Sequence, residues 1–245
     1  MSGGFRNKPK ILRGAFVEHG LTIPPLIVPF QFNPIQLSRN RSLSYSVPGW
    51  RQKMEYRISE ELRKLGIEYQ PEWISLRDFH QEYVDLNDLR DAQQVNVQPE
   101  SVNFEIRLDA TDKLNDGDPI TEQFGIAPQL ATLELMVYPK DESLLGELLS
   151  MLSPEGFSFT RGANPPMILF IWGRKRVLPV NINSMNITET EFSTDLNPIR
   201  ATVSVSLTVI EGKNIPYTYS KAMKEAMSVL NLANITDIAD VVIPG

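Results

Sequence analysis

Hydrophobic and polar residues alternate most regularly over 102–108, VNFEIRL. A period of two places the apolar side chains on one face of a strand, so this segment predicts a β-strand with one buried and one polar face. Residues 201–210 alternate in the same way and predict a second such strand. Residues 167–172, MILFIW, form a continuous apolar run instead, which predicts a strand that is buried on both faces.

Two further segments predict strands, 10–18 and 177–187, and the second follows a basic turn at 173–176. Two polar stretches that contain Asp, Asn and Pro lie between predicted strands, at 110–129 and 189–200. Because these residues favour turns through their own backbone preferences and side-chain hydrogen bonds, both stretches are predicted to be connections without regular structure.

The stretch 26–50 predicts a pair of strands separated by an Asn-Pro break. Phe30 and Phe32 are two residues apart, a spacing that predicts that both rings lie on the core face of one strand. Replacing Phe32 with alanine is therefore expected to leave a cavity that costs about 3–5 kcal/mol and prevents assembly. After the break, Arg39 and Arg41 fall on one face of a single following strand.

Apolar residues spaced three and four apart predict four helices. The first starts near residue 51 and ends at Gly66, since glycine favours the conformation that ends a helix. The second spans 75–93 with Ser75 as its N-cap, the third spans 144–152, and the last lies after Gly212. The stripes of the first, second and last helices are Met54, Ile58, Leu62 and Leu65; Leu76, Phe79, Tyr83, Leu86 and Leu89; and Tyr219, Met223, Met227 and Leu230.

About seven strands with helices between and after them predict an α+β fold, built on a small β-barrel or sandwich with a flanking helix. We expect a β domain over 10–212 that carries a helical insertion at 51–100. Residues 213–245 are expected to form a C-terminal helix and tail.

Composition disfavours several classes of function. The net charge of −6 over 245 residues opposes general nucleic-acid binding, and the parity of Phe30, Phe32 and Trp172 places these rings in the core rather than on a base-stacking surface. The chain has no cysteine and only two histidines, His19 and His80, which disfavours thiolate and zinc sites. No apolar run is long enough to span a membrane. The N-terminus lacks the apolar run of a signal peptide, so we expect assembly in the cytoplasm or export by a route that needs no cleavable signal.

An acidic cluster is the one feature that points towards catalysis or metal binding; it comprises Asp109, Asp112, Asp116 and Asp118. Its spacing fails the calcium-loop pattern, because Gln123 stands where that loop needs a glutamate. A cell-wall hydrolase that uses these carboxylates is a weaker alternative. The sequence contains neither a G-x-S-x-G elbow nor a phosphate-binding glycine pattern. We therefore predict a protein without catalytic residues, cofactor or metal.

A basic group comprises Arg174, Lys175 and Arg176 at the predicted turn, together with Arg39 and Arg41. These side chains are candidates to line a channel or to contact an acidic partner. The alternative is a charged hairpin tip that keeps a sheet edge soluble.

Several anchors in a fixed order carry a family resemblance. They are FQFNP at 30–34, the alternating strand VNFEIRLD at 102–109, NPPMILFIWG at 164–173 and NPIRATVSVSLTVIEG at 197–212. This order resembles the tube-type domain of contractile injection systems, as found in the LysM-containing baseplate proteins that lie between spike and tail tube. The chain departs from that pattern in its longer insertion at 51–100, and in a helix and tail where the family carries a LysM module.

The resemblance implies a fold like that of phage tail-tube proteins, with six copies in a ring around a lumen. The implied function is structural: a ring that initiates or extends the inner tube at the baseplate above the spike, inside an injection particle. An adaptor at the distal end, between tube and cap, is the alternative position. The implied partners are further copies of the chain, the inner tube protein, and spike, hub and other baseplate proteins, with no nucleic acid and no membrane insertion.

Overall fold

The computed structural model describes residues 12–20, 25–70, 73–138 and 164–232. The chain divides into two compact units. The sheet unit comprises Met1–Asn40 and Ser101–Gly245, and the inserted unit comprises Arg41–Glu100. Helices hold 35% and strands 33% of the described residues, which confirms the α+β class. The domain limits 10–212 and 213–245 stay a prediction.

The strands, in chain order, are β1 (Ala15–Glu18), β2 (Ile27–Pro29), β3 (Leu37–Asn40), β4 (Leu43–Ser46), β5 (Gln94–Val97), β6 (Ser101–Asp109), β7 (Ile168–Trp172), β8 (Arg176–Phe192) and β9 (Pro198–Val209). The helices are α1 (Gly49–Lys64), α2 (Leu76–Gln81), α3 (Leu86–Ala92), α4 (Thr111–Asn115), α5 (Pro119–Phe124), α6 (Ala127–Leu135) and α7 (Ile215–Leu232). The helix predicted over 144–152 lies outside the described residues.

The sheet unit is built on one curled, antiparallel, seven-stranded sheet in the order β2-β1-β7-β8-β9-β6-β3. Strand β6 alternates buried and exposed residues along its length, and β9 alternates buried and half-buried ones, as the periodicity predicts. The two strands pair in register from Ser101 opposite Thr208 to Asp109 opposite Arg200. One face therefore buries the apolar side chains and the other presents polar ones.

Four phenylalanine rings form the centre of the core on the buried face. They are Phe16, Phe30, Phe104 and Phe170, with ring centroids between 5.1 and 6.3 Å apart. Gly14 borders this cluster, because a Cβ there would lie 2.7 Å from the Phe30 ring. The glycine therefore allows Phe30 to close over the end of β1.

The segment between β2 and β3 joins the two opposite ends of the sheet order. Strand β2 ends at Pro29, and the next two residues do not continue the strand. Phe30 is fully buried, whereas Phe32 is 46% exposed, so the prediction that both rings share the core face is wrong. The pair of strands predicted over 26–50 does not pair with itself, because β2 pairs with β1 and β3 pairs with β6.

Two side-chain amides hold this crossing segment in place. Gln31 donates from Nε2 to the carbonyl oxygen of Asp109 at 2.6 Å and accepts at Oε1 from the Asp109 amide at 2.8 Å. Asn33 accepts from the Gly14 amide at 2.9 Å and donates to the Leu12 carbonyl at 2.8 Å. Each amide satisfies backbone groups at a strand end, as a neighbouring strand would.

The stretch 110–129, predicted as a connection, holds three short helices instead: α4, α5 and the start of α6. Asp118 caps α5 by accepting from the Thr121 amide at 3.0 Å. Gly125 ends that helix with φ of 57°, and a Cβ there would lie 2.1 Å from the Pro198 carbonyl oxygen. The aspartates and glycine of this stretch therefore begin and end helices, a role that composition does not distinguish from a loop.

The connection predicted at 189–200 is also shorter than expected, because β8 continues to Phe192 and β9 already begins at Pro198. Most side chains over this part of β8 are exposed, so the sequence there gives no strand pattern. The segment nevertheless pairs with β9 on one side. Ile168 and Phe170 on one face of β7 are buried, but Leu169 and Ile171 on the other face are half-buried, so burial on both faces is only partial.

The described residues of the inserted unit form three helices and the antiparallel hairpin of β4 and β5. Helix α1 ends at Lys64, and Gly66 follows with φ of 75°, as the sequence predicts. The helix predicted over 75–93 is two helices, because Asp85 caps a new one by accepting from the amides of Asn87 and Asp88. The single strand predicted through Arg39 and Arg41 is likewise two, β3 in the sheet unit and β4 in the inserted unit.

Candidate functional site

The polar face of the sheet presents rows of small hydroxyl and amide side chains. Ser206 lies opposite Asn103 on β6 and opposite Ser184 on β8. The next two rows comprise Glu105, Ser204 and Asn186, and then Arg107, Thr202 and Thr188. Together with the crossing segment, this face borders a groove of about 1220 Å³. The rows on the strands are hydrophilic without a predominance of either charge, whereas the crossing segment contributes the exposed apolar side chains of Phe32 and Ile35.

Charges on this face are paired at one end of the groove. Arg200 donates from Nε to the Asp109 carboxylate at 2.8 Å and also pairs with Glu191. Hydrogen bonds from Thr111, reinforced by the Arg200 guanidinium, lower the pKa of Asp109 below its ordinary value. The arrangement neutralises charge and links three strands, since Asp109 ends β6, Arg200 lies in β9 and Glu191 lies in β8.

Strand β8 has an open edge beside the polar face. Its partner β7 pairs only as far as Val180, whereas β9 pairs with β8 on the other side as far as Phe192. Within the described part of the chain, residues 181–192 of β8 thus have a strand neighbour on one side only. An open edge of this length presents unpaired backbone groups to another strand.

Four of the five predicted basic residues lie together. Arg39, Arg174, Lys175 and Arg176 line a cleft of about 600 Å³ with Lys224 of α7. We call this the basic cleft; its other lining residues are Leu12, Trp172, Gly173, Ser220, Met223 and Met227. Arg41, by contrast, belongs to the inserted unit and pairs with Glu100 at 3.5 Å.

The basic cleft has well-anchored walls. Ser220 is buried, and its hydroxyl donates to the Val177 carbonyl at 2.7 Å and accepts from the Val177 amide at 2.9 Å. The Tyr219 hydroxyl donates to the Arg174 carbonyl at 2.8 Å. All three bonds join α7 to the hairpin that β7 and β8 form. The predicted stripe of the terminal helix contributes Met223 and Met227 to the cleft.

The hairpin of the inserted unit exposes an apolar face. Leu43 pairs with Val97 and Tyr45 with Val95. All four side chains lie on one face of the ribbon and are between 40% and 49% exposed. A two-stranded ribbon is marginally stable without a covering layer, so we name these four residues the apolar ribbon face and treat it as a candidate contact surface.

Two residues of the acidic cluster have structural roles. Asp109 accepts from the Thr111 amide at 2.8 Å, and Asp118 caps α5. Hydrogen bonds from Thr121 lower the pKa of Asp118. No group of three or more potential metal ligands occurs in the ranges that the structure describes. His19 and His80 are both exposed.

Sequence reasoning missed several residues that shape these surfaces. The alternation over 102–109 predicts that Arg107 lies on the polar face of its strand. Arg200, by contrast, falls in the stretch 189–200 that is predicted to be a connection. The sequence did not indicate that Lys224 belongs to the basic cleft, because only the fold brings α7 beside the basic turn. The sequence did not indicate the role of Gln31, and it indicated Asn33 only as part of the Asn-Pro break.

Among the described residues, no helix is both long and apolar enough to cross a membrane. A family model described as contractile injection system tube protein matches residues 66–214, more than half of the chain. No curated protein matches the chain. The matched range runs from the end of α1 through β9 and includes the polar face and the open edge of β8.

Proposed function

This chain belongs to the contractile injection system tube protein family, and from that membership we propose that six copies form a ring in the inner tube of an injection particle, at the baseplate above the spike. The family is structural and is not an enzyme class. The proposed partners are neighbouring copies, the inner tube protein, and spike, hub and other baseplate proteins.

The open edge of β8 is the observation that most directly supports the proposed ring. Twelve residues, 181–192, extend a strand beyond its β7 partner and leave one side without a strand in the part of the chain described here. At one end of the sheet order, β3 pairs with β6 only from Ser101 to Phe104. Strand pairing between copies would cover such edges, and a closed ring leaves none exposed.

The polar face supports the same arrangement. If β8 of one copy continues the sheet of the next, the rows of serine, threonine and asparagine form a continuous hydrophilic surface around the ring. Such rows of polar side chains keep a lumen wet. Arg107 and Arg200 are then lumen charges, and Arg200 is neutralised by Asp109 and Glu191.

The predicted basic residues take a different place in this proposal. Arg39 lies opposite Val102 in the β3–β6 register, which puts it on the core side of the sheet rather than the polar side. The basic cleft is therefore an interface or ligand surface and not part of the lumen. The apolar ribbon face of the inserted unit is a second candidate contact between ring neighbours.

Hydrogen–deuterium exchange of free and assembled protein tests the proposal. Assembly should slow exchange of alternate amides within 181–192, because these would donate to a strand of the next copy. Amides in 202–207 of β9 are the internal control, since β9 is already paired on both sides. A protein that forms a stable ring with no added protection in 181–192 would refute pairing through β8.

The position along the tube needs a separate measurement. The distal adaptor between tube and cap is the alternative to the baseplate. Gold labelling of a tagged chain in intact particles should mark the spike end, whereas labelling at the opposite end would replace the baseplate assignment with the adaptor.

A further inference from the structure

We propose that the tip of the β8–β9 hairpin, residues 192–197, docks on the basic turn of a second copy of this chain, with Leu196 as the anchoring side chain. We call residues 192–197 the hairpin tip. The contact joins the strand ends of two copies head to tail. It goes beyond the proposed ring, which joins strand edges, and does not rest on it.

The backbone of Leu196 adopts a conformation that disfavours leucine. Its φ is 62°, and within the described ranges it is the one non-glycine residue with a positive φ. This left-handed conformation brings Cβ close to a carbonyl oxygen, so glycine or asparagine is normally preferred. The Leu196 side chain is also 80% exposed, so it gains little from packing in its own protomer. A strained, exposed leucine therefore points to a contact outside the protomer.

Hydrogen bonds fix the hairpin tip. The Ser193 amide donates to the Asn197 carbonyl at 2.8 Å, and the Leu196 amide donates to the Ser193 carbonyl at 3.0 Å. The Ser193 hydroxyl accepts from the amides of Asp195 and Asn197 at 3.3 and 3.1 Å. The Asn197 side chain donates to the Gln123 carbonyl at 2.8 Å, which ties the tip to α5. Leu196 therefore lies on a preformed turn, and docking costs little conformational entropy.

Other apolar side chains are exposed at the same end of the sheet. Phe192, at the start of the hairpin tip, is 49% exposed. On α5, which the tip contacts through Asn197, Phe124 is 45% and Ile120 is 60% exposed. Exposed apolar side chains gathered at one end of a protein mark an interaction surface.

The same end of the sheet unit is acidic. Residues 109–124 and 189–200 are joined by the ion pair of Asp109 with Arg200 and together contain eight acidic and two basic residues. Two such ends repel each other, which disfavours a symmetric contact from tip to tip. The charge instead favours a partner surface that is basic and also carries apolar side chains.

A second copy offers such a surface at the opposite end of β8, a strand of 17 residues. Arg174 and Lys175 are exposed at the basic turn, and the contact needs only these two cations. Beside them Trp172, Met223 and Met227 supply apolar surface, and no residue that lines the basic cleft is acidic. Because the two surfaces lie at opposite ends of one strand, they meet between copies, and the contact is heterologous.

Disulfide cross-linking between two differently tagged proteins tests the contact, because the sequence contains no cysteine. One protein carries Leu196→Cys and the other carries Met223→Cys. The matched control replaces Met223→Cys with Val229→Cys, a more exposed position on the same helix. The heterodimer yield of the first pair should exceed that of the control by about tenfold.

Two outcomes of this experiment would overturn the proposal. Equal heterodimer yields for Met223→Cys and Val229→Cys would mean that the hairpin tip does not select the basic cleft. Homodimers of the Leu196→Cys protein in excess of the heterodimer would replace the head-to-tail contact with a symmetric one.

Charge reversal on the receiving protein supplies a second arm. Arg174→Glu with Lys175→Glu alters two exposed side chains and keeps the backbone carbonyl that Tyr219 contacts. Added to the Met223→Cys protein, this pair of changes should lower the yield to that of the control, as should raising the salt to about 0.5 M. A yield that survives the charge reversal would contradict the role of the basic turn.

Leu196→Gly separates anchoring from folding. In a Thr194→Cys protein, which keeps a thiol on the hairpin tip, Leu196→Gly should abolish the excess of cross-linking to Met223→Cys. Because glycine accepts a positive φ without strain, the melting temperature followed by circular dichroism should rise by about 2–4 °C. Retained cross-linking would contradict the anchoring role of Leu196, and a lower melting temperature would show that its side chain serves the fold instead.

Discussion

The side-chain amide of Gln31 forms two hydrogen bonds with the backbone of Asp109, one to its carbonyl and one from its amide. The two residues are 78 positions apart. Strand β3 pairs with β6 only as far as Phe104, so Gln31 satisfies the last backbone groups of β6 on the side that β3 leaves uncovered. This contact holds the crossing segment over the end of the sheet.

Gln31→Ala should destabilise the protein by about 1–3 kcal/mol, because it leaves a part-buried amide and carbonyl without their partner. Urea denaturation followed by far-ultraviolet circular dichroism measures the change. The control is Gln36→Ala, an exposed glutamine of the same segment, for which a change within about 0.5 kcal/mol is expected. Equal effects of the two substitutions would show that the amide contact contributes no stability of its own.

Phe30 and Phe32 should respond very differently to truncation. Phe30→Ala removes a ring from the centre of the phenylalanine cluster and should cost about 3–5 kcal/mol through the cavity it leaves. Phe32 is 46% exposed, so Phe32→Ala should cost less than about 1 kcal/mol. The same denaturation assay compares the two, and a larger loss for Phe32 would contradict the burial assigned to each ring.

Acid should weaken the fold partly through Asp109. Its pKa is lowered in the folded protein, chiefly by hydrogen bonds from Thr111 and then by Arg200. A lowered folded pKa means that the contribution is fully present above the ordinary value of 3.8 and is lost as the pH falls through the folded value. The free energy of unfolding should therefore decrease below about pH 4, and Asp109→Asn should flatten that decrease.

Thr111→Val is the companion variant for the acid measurement. It removes the hydroxyl that makes the largest contribution to the lowered pKa of Asp109, so the acid-dependent decrease should be intermediate between those of the natural chain and Asp109→Asn. Identical pH profiles for all three proteins would rule out Asp109 as a source of acid sensitivity.

The apolar ribbon face should matter for assembly rather than for folding. Val97→Glu places a charge on that face, and a buried, unpaired charge at a contact between copies costs several kcal/mol. Asn96→Glu adds the same charge on the opposite face of the ribbon and serves as the control. Light scattering after size exclusion should show that Val97→Glu loses the assembled form while Asn96→Glu keeps it; assembly of both would exclude this face from the interface.

Alternation in the sequence predicted the centre of the fold well. Strands β6 and β9 and the basic turn between β7 and β8 lie where the periodicity places them, because each strand has one face in the core. The α+β class and the tube-type resemblance are confirmed at the level of the family. Ser75 and Gly66 begin and end helices as their chemistry predicts.

The misses have local physical causes. Phe32 fails to share the core face because its strand ends at Pro29 and the next residues turn. The aspartates of 110–129 cap short helices, and a cap has the same composition as a loop. The basic cleft depends on contacts between α7 and the β7–β8 hairpin, so sequence spacing alone could name four of its cations but could not add Lys224.

Electron cryo-microscopy of the isolated injection particle tests the central claim most directly. Sixfold-averaged density next to the spike should accommodate six copies of this chain, with residues 181–192 of each β8 paired to a strand of the next copy and the polar face towards the lumen. Particles whose inner tube contains no density for this chain, combined with a purified protein that stays monomeric, would contradict the proposal.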